Sequence, residues 1–196
     1  MLANVEYAMP AHKLNNPRHM KLDQAETMIQ KLRSDSRQRL ATAIHEAGHS
    51  LVAGQIGIPS WYDGSAIEHV MESDAWIVTF GRTQVPIKCY QRLTAEQMAR
   101  LAVAGRVAET VLLGAEPIES SECDFESFLL SGKGRPSELI AIWKRAEEQL
   151  VKEFRADINL QRAIVHEAAI FESQIFPDCL DSVREPSKEP SHATVV

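Results

Sequence analysis

Residues 41–53 read "ATAIHEAGHSLVA", two histidines four positions apart with a glutamate after the first, set among small and apolar residues. No other stretch restricts the fold as strongly. On a helix, positions i and i+4 share one face a turn apart, so His45 and His49 point the same way if the segment is helical. The flanks agree with a helix: Leu40, Ile44, Ala47, Leu51 and Val52 recur at its spacing, Ser36 stands as an N-cap, and Gly57 and Pro59 end the run. The small residues, Gly48 among them, let such a helix be buried against close neighbours. Burial demands a core, and 196 residues of which 44% are apolar suffice for one domain.

The rest of the chain supplies partners for that helix. A short helix is expected over 20–36, and a longer one behind the capping-box pair Thr94 and Gln97, ending at Gly114 in a left-handed cap. Two more are expected at about 137–154 and 157–174. Between the first two and the long helix, "AWIVTFG" alternates Trp76, Val78 and Phe80 against Ile77 and Thr79, and the weaker "SAIEHVM" precedes it, which predicts a small sheet or hairpin. The acidic stretch "AEPIESSECDFES" reads as a loop that re-enters a short helix around 124–130. The expected fold is therefore mainly α (α+β), with residues 1–19 as an extended arm, 20–176 as the folded domain, and the Pro- and Ser-rich 177–196 as a disordered tail.

Two histidines on one face can each aim a ring nitrogen at a single ion, and Glu46 stands one residue round the helix, within reach of a water in the ion's open position. Zinc (Zn2+) is the expected cofactor. Without a cation, a buried histidine pair would need hydrogen-bond partners for every ring nitrogen, at a cost of about 1–3 kcal/mol for each one left unsatisfied. Catalytic zinc takes three protein ligands and a water, so one more ligand is required. Glu109 in "GRVAE" and Asp124 in "ECDFE" are the leading candidates. Generic thermolysin-like reasoning, with a glutamate from a downstream helix, favours Glu109, while Cys123 and His69 are weaker choices.

"AIHEAGHSLVA", then "LAVAGRVAETVLLG", then "SSECDFES" resemble in order and spacing the peptidase domain of the FtsH-type, AAA-linked zinc metalloproteases. The resemblance spans roughly residues 37–175 and implies a helical, zincin-like peptidase fold. It also implies His45, His49 and Asp124 as zinc ligands, Glu46 as the catalytic base, and Glu109 as a residue orienting a ligand. Two departures stand out. Glu122 and Cys123 precede the aspartate where the family reads closer to Gly-Ala-Ser-Asn-Asp. No GxxxxGK followed by Ser or Thr occurs, and neither an ATPase module nor a membrane anchor is recognisable in this sequence. The activity this implies is ATP-independent cleavage of unfolded polypeptides, peptides or substrates delivered by another protein, with a homo-oligomer or a partner ATPase as the expected assembly. The alternative is a non-catalytic zinc module that binds polypeptides or docks on an ATPase-protease complex.

Composition narrows the partners further. A net charge of −6 with no clustered Lys and Arg excludes a nucleic-acid footprint. Three scattered cysteines and the lack of a leader pattern point to the cytoplasm, and no apolar run is long enough for direct membrane insertion.

Overall fold

The computed structural model describes residues 21–70, 75–114, 120–132 and 134–176, at several positions by backbone alone; the expected N-terminal arm and C-terminal tail lie outside them. In chain order the elements are α1 Leu22–Ser34, α2 Ser36–Gln55, β1 Trp61–Val70, β2 Ala75–Gln84, α3 Ile87–Tyr90, α4 Ala95–Leu113, α5 Ser120–Ser131, α6 Pro136–Ala156 and α7 Ile158–Ile175. The fold is mainly α with one antiparallel two-stranded hairpin, as the sequence predicts.

Two helices organise the rest. α4 packs on both α2 and α6, and α2 packs in turn on α7 and the hairpin. Large side chains fill the space away from the α2–α4 contact: Phe128, Leu139, Leu150, Phe154, Ile164 and Phe171 are fully buried, each worth about 1.5–3 kcal/mol relative to exposure. At the α2–α4 contact the logic reverses. A Cβ on Gly48 would stand 2.6 Å from the Ala104 carbonyl oxygen and 2.9 Å from Ala108 Cβ, so a hydrogen is what lets the two backbones meet.

The helix ends follow their local chemistry, with two corrections. The N-cap of α2 is Asp35, not Ser36: its carboxylate accepts from the Arg37 and Gln38 amides at 3.0 Å each. Asp35 is the single residue between α1 and α2, and its extended backbone has the cap conformation while Ser36 is already helical. Its charge also suits the positive helix end. The second correction concerns the start of α5, which comes at Ser120, four residues before the helix expected at about 124–130. No glycine or proline falls between Glu119 and Ser131, and the acidic residues at the start of the segment favour a helix N-terminus. The Thr94–Gln97 capping box and the left-handed Gly114, φ 61°, bound α4 as expected. The four-residue α3 behind Pro86 was not anticipated.

The hairpin pairs Trp61 with Gln84 through Val70 with Ala75 in one unbroken register. Gly81 takes φ 105°, and a Cβ there would meet Phe171 Cζ at 2.6 Å. The hairpin base therefore sits directly on α7, where the Tyr62 ring also meets Phe171 edge to face at 5.1 Å. Among the described residues no helix is long and apolar enough to cross a membrane.

Candidate metal centre

α2 carries His45, Glu46 and His49 into the interior, and all three are buried. Each histidine has one ring nitrogen tied to α4. His49 Nδ1 lies 2.8 Å from the Leu101 carbonyl, which can only accept, so this nitrogen carries the proton. His45 Nδ1 lies 2.5 Å from Glu109 Oε1 and donates to that carboxylate. In the neutral imidazoles both tautomers are thereby assigned, and each Nε2 is the lone pair.

Those lone pairs face one another. The two Nε2 atoms are 3.0 Å apart, and Asp124 Oδ2 from α5 stands 3.0 Å from the first and 3.3 Å from the second. With neutral imidazoles, nothing in this trio donates a hydrogen bond. Three acceptors within contact of each other repel unless a proton or a metal cation lies among them. Zinc with nitrogen and oxygen ligands at about 2.0–2.1 Å in tetrahedral array sets neighbouring ligand atoms about 3.3 Å apart. The observed edges lie within a few tenths of an ångström of that value, so His45, His49 and Asp124 can hold a metal ion.

The electrostatics point the same way. Burial by itself lowers the pKa of His45, yet hydrogen bonds to Asp124 and Glu109 and the nearby charge of Glu46 raise it well above the ordinary imidazole value. His49 is likewise raised, with Asp124 overcoming burial. Burial pushes Asp124 up, but the two histidines hold its carboxyl far below the usual range. Asp124 and Glu109 thus favour positive charge at the two imidazoles, which either a proton or a metal ion would supply.

α4 supports the site without contributing a ligand. Beyond Glu109 and the Leu101 carbonyl it presents Gly105, where a Cβ would stand 2.6 Å from His45 Nε2, His45 Cδ2 and His49 Nε2. The glycine of "GRVAE" is the residue whose lack of a side chain makes room for the converging imidazoles. Glu46, one residue round from His45, turns instead to the hairpin. Its Oε2 accepts from the Thr83 amide at 2.5 Å, and its own carbonyl accepts from Thr83 Oγ1 at 2.8 Å.

Of the residues expected from sequence, the structure brings His45, His49 and Asp124 to one point, sets Glu109 behind His45, and sets Glu46 beside β2. The side chains of Cys123 and His69 lie outside the described residues. Sequence reasoning missed the Leu101 carbonyl and Thr83. A main-chain carbonyl or amide leaves no mark in a sequence, whereas Gly105 inside an apolar helix was a readable signal of close approach. No protein-family model matches the chain, and no curated protein matches it.

Proposed function

We propose that the chain is an FtsH-type zinc metalloendopeptidase domain that hydrolyses unfolded polypeptides or peptides without ATP. The observation that carries this reading is the convergence of three ligand atoms, from His45, His49 and Asp124, with Glu46 next to His45 on the same helix turn. His45, His49 and Asp124 hold the zinc, and Glu109 and the Leu101 carbonyl orient the imidazoles through their Nδ1 protons. Zinc, when bound, acidifies a water toward neutral pH and polarises a carbonyl. Glu46 takes the proton of the attacking water and returns it to the departing amine, so no covalent intermediate is needed.

The substrate class rests on β2. In a two-stranded sheet each strand keeps one edge unpaired by the other; on β2 the Thr83 amide is taken by Glu46, which leaves the remainder of that strand's edge for a substrate. An extended backbone pairing with such an edge would be held largely without regard to its side chains. Folded chains do not present one, so the substrates are unfolded polypeptides or peptides, and folded ones would have to be delivered by a partner such as an ATPase.

Cleavage of fluorescein-labelled casein tests the proposal. Chelator should stop it, stoichiometric zinc should restore it, and ATP should leave it unchanged. Glu46→Gln should keep zinc while slowing cleavage by about 100-fold to 10,000-fold. A Glu46→Gln protein as fast as the parent would refute the mechanism. A parent that binds zinc and casein but never cuts would favour the non-catalytic binding module.

A further inference from the structure

We propose that Thr83 is a positioning residue for Glu46, aligning its carboxylate toward the metal centre; the inference rests on the peptidase reading of the site. A glutamate side chain has three rotatable bonds, and an unanchored carboxylate would sample many orientations relative to a water between it and the ligands. Here one oxygen is anchored. Glu46 Oε2 accepts the Thr83 amide proton, while among the described residues Glu46 Oε1 accepts no protein hydrogen bond and remains available for proton transfer.

The amide is useful only if the strand stays in place, and the Thr83 side chain supplies that fixity. Its hydroxyl donates to the Glu46 carbonyl at 2.8 Å, so residue 83 grips residue 46 at both carboxylate and main chain. The distance from donor to carboxylate is thereby set against the helix that also carries His45 and His49. Elsewhere the hairpin base is held independently. Tyr62, the register partner of Thr83, donates its hydroxyl to Glu167 of α7 at 2.9 Å, and Gly81 lies on Phe171. Losing the Thr83 hydroxyl should therefore leave the hairpin seated and disturb only the local alignment.

The test is Thr83→Val, which keeps shape and amide but removes the hydroxyl, compared with Thr83→Ser, which restores it. In casein cleavage by the zinc-loaded protein, Thr83→Val should lower kcat about 5-fold to 20-fold with KM and zinc content unchanged, and Thr83→Ser should recover most of the loss. A readout independent of turnover is the Thr83 amide proton by NMR. It should resonate downfield in the parent, move upfield in Glu46→Ala, and exchange faster there. If Thr83→Val matches the parent in kcat while the parent cleaves, this inference fails alone. Equal loss of zinc and kcat would also overturn it, because Thr83 would then be holding the fold rather than the base. An amide proton indifferent to Glu46→Ala removes the link itself, and a parent that never cleaves removes the peptidase reading and this inference together.

Discussion

α2 and α6 are helices of nearly equal length packed against the same neighbour, α4, yet they are built on opposite plans. α6 buries Leu139, Trp143, Ala146, Leu150 and Phe154, one stripe at helical spacing, and turns its remaining surface to solvent. α2 buries Ala41 and an unbroken run from Ala43 to His49, so its middle is enclosed on every side. Half of those residues are alanine or glycine, and the three large polar ones are His45, Glu46 and His49. The difference teaches what each contact is for. Large side chains on α6 generate stability by filling volume, while small ones on α2 and α4 bring backbones close enough for polar groups from separate elements to meet.

The sharpest way to break this contrast is Gly105→Ala. One methyl would stand against both Nε2 atoms, so on the proposed reading zinc per folded chain should fall from one to none by elemental analysis, with circular dichroism verifying the fold. A variant that keeps its zinc would show that the site does not depend on the close approach of α4. Leu150→Ala is the complement on α6. It should cost about 2–5 kcal/mol in denaturant unfolding, through the cavity left behind, while the folded fraction binds zinc as before.

Smaller effects grade the α4 contribution. Glu109→Ala removes the acceptor behind His45 and should weaken zinc about 10-fold to 100-fold in a competition titration, whereas Asp124→Ala, which removes a ligand atom, should weaken it more. The reverse ranking would make Glu109 the ligand. Thr94→Ala removes the cap of α4 far from the metal and should cost about 1 kcal/mol of stability with no change in zinc affinity.

Much of this arrangement was legible beforehand, and for identifiable reasons. The i, i+4 spacing of His45 and His49 needs only helix geometry, so it survived any uncertainty about the rest of the chain. The capping box and Gly114 are likewise local, each decided within a turn of backbone. The choice between Asp35 and Ser36 as N-cap was not legible, because both residue types cap well and only the end of α1 decides which backbone is extended. The start of α5 was misread because an acidic, Ser-rich stretch resembles a loop, although its polar residues suit the first turns of a helix.

The chain by itself determined which chemical groups were available and which of them share a helix face, because period and capping are properties of neighbouring residues. It also carried Gly48 and Gly105 as marks of close approach. The resemblance had already set Asp124 and Glu109 with the histidines; only the tertiary structure decided which ring nitrogens they meet and added the Leu101 carbonyl at His49 Nδ1 and the Thr83 amide at Glu46. The physical reason is that two of these contacts, the Leu101 carbonyl and the Thr83 amide, belong to the backbone, which every residue possesses. The packing of α4 and β2 against α2 selects which carbonyl and which amide are used.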